Sequence, residues 1–193
     1  IEAGQSAVGD IFNWFIEYVC ESDQSLFEEY TQQASALSPG ESGLLALDWH
    51  NGNRTILVDH LLTGMIIGQT LQTTRVEIFR SLIEATAFGA RAIIERIEEY
   101  GVVIDTIVCC GGITEKNPFL MQVYADILGK ILKVSKSDKT PALGSAIVAF
   151  VCSGKSNGFT ETQDNIVQFK EQEYYPNSEH LGTYSQLYEI YMD

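Results

Sequence analysis

The stretch that decides the fold is Asp105-Thr-Ile-Val-Cys-Cys-Gly-Gly-Ile-Thr-Glu-Lys-Asn-Pro-Phe119. Its apolar run, Ile107-Val108-Cys109-Cys110, has the character of a strand buried in a sheet. The pair Gly111-Gly112 ends that run. Asn117-Pro118 then opens an amphipathic helix, Asn being a good cap and Pro suited to the first turn. Glycines at such a turn let a flat ligand lie against bare backbone, and the helix N-terminus beyond offers free N–H groups. A nucleotide is the first ligand this arrangement suggests. The pair alone is a weak signal, since it is neither GxGxxG nor GxxxxGK[ST]. A bare Gly-Gly is more often a tight turn without a ligand, and Asn117 reads as a cap as readily as a ligand contact.

The elements on either side support a layered fold. Val76, Phe79, Ile83, Ala87, Ala90, Ile94 and Ile97 step by three and four, so residues 73–100 form a long helix ended by Tyr100-Gly101. Val102 to Cys110 is a buried-type strand, Phe119 to Leu128 a helix, Ile131 to Val134 a strand. Leu143 to Val151 is a small-residue helix after Thr140-Pro141, and a last helix covers about 181–191. Upstream, residues 5–20 are helical, Phe27, Tyr30 and Ala34 mark a second short helix, and Leu44 to Trp49 is extended. Leu61 to Gly68 reads as a loop leading into a short helix. From residue 73 the order α-β-α-β-α predicts an α/β fold with a mostly parallel sheet. No strong linker divides residues 1–193, which read as one folding unit.

Composition narrows the partners. The chain has 193 residues, 45% hydrophobic and 20% charged, with a formal net charge of −14. That charge argues against nucleic acid and against anionic membrane. No apolar run reaches the ~20 residues of a membrane helix. Cys20, Cys109, Cys110 and Cys152 form no CxxC and read as buried reduced thiols, which fits a cytoplasmic protein. The first residue, Ile1, reads as the middle of a longer polypeptide. His50, His60 and His180 have no metal-ligand spacing. Asp48 and Asp59 flank a turn and read as solvated or capping groups before general bases. Ser6 suggests an N-cap, and Gly9, early in a helix, suggests close approach of a ligand or another helix.

Three longer stretches together resemble the C-terminal domain of the FGGY carbohydrate kinases, the branch acting on L-ribulose most closely. They are Glu2-Ala-Gly-Gln-Ser-Ala-Val-Gly-Asp-Ile-Phe12, then Gly64-Met-Ile-Ile-Gly68 with Glu77-Ile-Phe-Arg-Ser-Leu-Ile-Glu84, and Gly111-Gly112 running through Lys116-Asn117-Pro118 to Asp126. The second departs from the family pattern at Gln69 and Leu82. The resemblance implies a ribonuclease-H-like lobe of the actin/Hsp70 ATPase type, a mixed sheet flanked by helices. It implies nucleotide contacts at Gly9, Asn13, Gly111, Gly112 and Asn117, a carboxylate near the sugar at Glu2, and ATP with Mg²⁺ as cofactors.

By the same resemblance, the catalytic Asp and most of the phosphate and Mg²⁺ contacts lie upstream, in a second lobe that also holds the sugar. No residue here is then catalytic. The expected activity of the whole protein is transfer of the ATP γ-phosphate to a ketopentose, with this chain inactive alone. Exposure of the face toward the other lobe implies self-association as a homodimer. A kinase of a different sugar, close to those acting on xylulose, and a non-catalytic actin-like nucleotide-binding module are the alternatives.

Overall fold

A computed structural model describes residues 2–21 and 25–193. Helix α1 (Gly9–Trp14) continues as one π turn over Phe15–Val19, closed by the Cys20 N–H donating to Phe15 O at 2.9 Å. After α2 (Leu26–Ser35) come two short strands, β1 (Leu45–Leu47) and β2 (Met65–Ile67), and then the long helix α3 (Arg75–Glu99). Strand β3 (Thr106–Cys109) leads through the single-turn α4 (Gly112–Lys116) into α5 (Pro118–Leu128), followed by β4 (Ile131–Ser135). The chain then forms α6 (Thr140–Cys152), α7 (Phe159–Ile166), β5 (Phe169–Tyr174) and α8 (Ser178–Met192). No described helix is long and apolar enough to cross a membrane.

The strands fall into two sheets. Strands β1 and β2 pair antiparallel, and β3-β4-β5 is mixed, with β3 parallel and β5 antiparallel to β4. The three-stranded sheet is therefore mixed, as the family resemblance implied, rather than mostly parallel. Met65–Ile67, expected to lead into a helix, is instead a strand. β5 and α7 carry no signal in the sequence reading. Phe169–Tyr174 is rich in charge, which suits an edge strand. Its Glu173 faces Lys133 across the ladder and pairs with it at 3.1 Å. Strand β3 is not the doubly buried strand its composition suggests. Val108 is half exposed, and no residue of β3 is fully buried.

Helix α3 starts with a capping box. The Glu77 N–H donates to Thr74 Oγ1 at 3.3 Å, and the Thr74 N–H donates to the Glu77 carboxylate at 2.7 Å. Its fully buried Phe79 ring meets Phe12, Phe15, Phe27 and Tyr30 at centroid distances of 5.9, 5.9, 5.7 and 5.8 Å. One side chain thus gathers α1, the π turn and α2. The next residue, Arg80, is also buried. Its Nε donates to Glu84 Oε1 at 2.9 Å, Nη1 to the carbonyls of Ala34 and Leu37, and Nη2 to Tyr184 Oη at 3.2 Å. Phe88 packs on Tyr184, Tyr188 and Tyr191 of α8. The start of α8 is tied to α5 through Asp126, which accepts from the Asn177 N–H at 2.8 Å and meets His180 Nδ1 at 2.7 Å.

Replacing Arg80 alone strands the buried Glu84 carboxylate and two helix-end carbonyls. Arg80→Met is expected to cost about 3–5 kcal/mol in urea unfolding, and the double variant Arg80→Met, Glu84→Leu to recover most of that loss. Equal losses in the single and double variants would show that packing, not charge, carries the contact.

Candidate functional site

The approach to α1 is clamped before the helix begins. The Gly4 N–H donates to Thr55 Oγ1 at 2.8 Å, and that hydroxyl donates back to Gly4 O at 2.7 Å. Gln5 Nε2 donates to Asp48 Oδ2 at 2.8 Å and to Thr86 O at 2.7 Å, while Tyr191 donates to Asp48 Oδ1 at 2.7 Å. Gly89 makes room for this pair inside α3. A Cβ there would stand 2.3 Å from Asp48 Oδ2 and 2.6 Å from Gln5 Nε2. That packing requirement outweighs the cost of about 1 kcal/mol for glycine in a helix interior. Asp48 is accordingly a buried structural acceptor, not a solvated group, and Asp59 caps its own turn through the Leu61 N–H at 2.8 Å. Ser6 does not cap α1, whose N-cap position is Val8 and has no side-chain cap.

Four elements meet in a cleft of about 430 Å³, a volume within the usual range of small-molecule sites. It is lined by Gly9, Phe12 and Asn13 from α1, Phe27 and Glu28 from α2, Gly112, Ile113 and Lys116 from α4, and Asn117 at the head of α5. Four of the residues singled out in the sequence, Gly9, Asn13, Gly112 and Asn117, are thus brought together across about a hundred residues of chain. Gly9 is where α1 and α4 come closest, since a Cβ there would lie 2.8 Å from Ile113 Cδ1. Gly112 has open space where a side chain would be. Gly111 does not line the cleft. Its φ of +101°, a conformation that favours glycine, turns the chain from β3 into α4.

Asn117 is buried and its polar atoms already have partners. Oδ1 accepts from the Leu120 N–H at 2.9 Å, capping α5, and Nδ2 donates to Thr31 Oγ1 of α2 at 3.3 Å. Glu2 is exposed and lines no part of this cleft. Sequence reasoning missed Phe27 and Glu28, because α2 read only as a packing helix, and missed Phe12, Ile113 and Lys116 inside the motifs that flagged their neighbours. A larger hollow of about 710 Å³ lies on the opposite face of α1, against Asp10, Trp14 and His50. None of the predicted nucleotide or sugar contacts lines it, and burial there pushes the His50 imidazole below its ordinary pKa. The cysteines are all free, but Cys110 and Cys152 are exposed rather than buried. Burial raises the Cys109 thiol to about 11. Among the described residues no group of three or more His, Cys, Asp or Glu is placed to hold a metal ion.

Residues 1–153 match the model of the FGGY family of carbohydrate kinases, C-terminal domain. The chain is 47% identical over 203 residues to the ribulokinase of Geobacillus thermodenitrificans (strain NG80-2), covering 98% of this chain and 36% of that protein. It is 47% identical over 205 residues to the ribulokinase of Bacillus licheniformis, covering 100% and 37%. The chain therefore spans little more than a third of the curated relatives it matches. Among solved structures it is similar to gluconate kinase from Lactobacillus acidophilus (TM-score 0.85, 22% identity, 95% of this chain and 37% of that one). It is also similar to Plasmodium falciparum glycerol kinase with ADP (TM-score 0.77, 19% identity, 96% and 36%). These neighbours share the actin/Hsp70-like ATPase fold.

Burial pushes the Asp48 carboxyl above the ordinary aspartate range, although hydrogen bonds from Tyr191 and Gln5 pull the other way. A carboxyl with a raised folded pKa stabilises the fold fully below the unfolded value of about 3.9 and loses that contribution as pH rises through the folded pKa. Wild type is therefore expected to lose stability relative to Asp48→Asn as pH rises from about 4 toward neutrality. Urea midpoints of both proteins across that range measure this, and a difference that does not change with pH would contradict it.

Proposed function

The chain belongs to the FGGY family of carbohydrate kinases, and from that membership we propose that it is the ATP-binding lobe of a cytoplasmic ketopentose kinase. The reaction of the whole protein is then L-ribulose and ATP to L-ribulose 5-phosphate and ADP. The observation that carries the nucleotide part is the cleft joining Gly9, Asn13, Gly112 and Asn117. Its apolar walls, Phe12, Phe27 and Ile113, suit a purine ring, and Gly112, with open space where a side chain would be, lets that ring approach backbone closely. Similarity in fold to a glycerol kinase held with ADP supports the same ligand. The sugar assignment rests on identity of 47% with ribulokinases along the whole chain. A xylulose-directed kinase is the weaker reading, because the similarity to xylulose kinases is one of fold, at 22% identity.

The residues divide the work. Asn13 faces the nucleotide from α1. Asn117 acts by holding α5 and α2 at the right separation, and Gly111 by aiming α4. Glu2, on the clamped segment that enters α1, belongs to the sugar side of the interlobe cleft. Mg²⁺ finds no protein cage among the described residues. It would arrive on the nucleotide phosphates, keeping waters of its own. The acidic balance of this chain, −14 overall, leaves most of the neutralisation of those phosphates to the metal and to the rest of the polypeptide. The general base that takes the proton from the attacking hydroxyl also lies outside this chain, so the lobe supplies positioning and not proton transfer.

The full-length protein is expected to turn over L-ribulose far better than D-xylulose in an ADP-coupled assay, and the 193-residue chain to show no turnover with either. Turnover by the isolated chain would refute its assignment as a nucleotide lobe alone. Gly9→Ala drives a methyl into Ile113 and closes the cleft from one wall. In the full-length protein it is expected to raise the ATP KM by about tenfold or more, with little change in the KM for sugar.

A further inference from the structure

The charged groups of the cleft are segregated from its apolar ones. Phe12 is buried and Phe27 and Ile113 are half-buried, whereas Glu28 on α2 and Lys116 at the end of α4 are exposed at the rim. Neither charged group makes a hydrogen bond or ion pair among the described residues. Glu28 is nevertheless carried on a fixed element. Arg80 binds the carbonyls at the far end of α2, and Thr31, three residues beyond Glu28, is joined to Asn117.

We infer that Glu28 reads the ribose of the bound nucleotide, its two oxygens accepting hydrogen bonds from the 2′- and 3′-hydroxyls. The site thereby selects ribonucleotides over deoxyribonucleotides. This rests on the nucleotide reading of the cleft. An ionised carboxylate only accepts hydrogen bonds, and a phosphate offers it only acceptors and like charge. With the base against the apolar walls, the vicinal hydroxyls are the donors left at the rim. Lys116, which only donates, suits a phosphate oxygen beside them. The exocyclic amine of adenine is the other donor a carboxylate could meet, and a nucleotide lacking it separates the two.

Calorimetric titration of the full-length protein and of Glu28→Ala with ADP, 2′-deoxy-ADP, 3′-deoxy-ADP and inosine diphosphate tests this. Wild type is expected to bind ADP about tenfold or more tightly than either deoxynucleotide, the range for a hydrogen bond to a charged group. Glu28→Ala should bind all three within about threefold, leaving the ratio of ADP to inosine diphosphate unchanged. Glu28→Gln, which keeps one acceptor oxygen, should fall between. No binding of ADP to wild type would overturn the nucleotide reading and this inference together. ADP binding without discrimination against the deoxynucleotides, or discrimination that survives in Glu28→Ala, would overturn the inference alone. So would an alanine variant that loses preference for ADP over inosine diphosphate, since the carboxylate would then be reading the base. An unchanged urea midpoint shows that the exposed substitution leaves the fold intact.

Discussion

A guanidinium taken out of water must find acceptors for its donors, and Arg80 finds them on three different elements. Its partners are a carboxylate on its own helix, the last carbonyls of α2 and a phenol of α8. Burial raises the Glu84 carboxyl, and the Arg80 charge beside it opposes that shift. The pair is thus a constraint on arrangement more than a source of net stability. With α2 held this way, Phe27, Glu28 and Thr31 stand opposite α4 and α5, and the cleft between them exists. The neighbouring Phe79 ring adds apolar packing among the same helices without directing it.

Much of the fold was legible because its long elements are strongly periodic. The stripe along α3 and the glycine after it place that helix within two residues of its position. The failures have physical causes. Met65–Ile67 is three residues between two glycines, too short for alternation to show. Phe169–Tyr174 is a charged edge strand, and edge strands suppress the apolar signal that marks a strand. The run before Gly111 reads as buried on both sides, yet Val108 is half exposed and no residue of β3 is fully buried. Burial of this kind is decided by which elements come to lie on the sheet, and local composition does not contain that information.

The candidate site was legible where backbone demands are unusual and illegible where they are ordinary. Glycines at 9, 111 and 112 and the Asn-Pro pair stand out as letters. Glu28 does not, since it looks like any acidic residue in the first turn of a helix, where a carboxylate is favourable anyway. The same holds for Asp48, whose burial depends on Gly89, Gln5 and Tyr191 from three distant parts of the chain.

The double engagement of Asn117 has an evolutionary consequence. The folded chain demands this residue whether or not a ligand is present. A descendant that lost the proposed activity would still be held to asparagine at that position by stability alone. Its presence in a distant relative would testify to the architecture, not to a surviving activity. The exposed, unpartnered residues of the rim have no such second duty, so they would drift first once selection for the nucleotide relaxed.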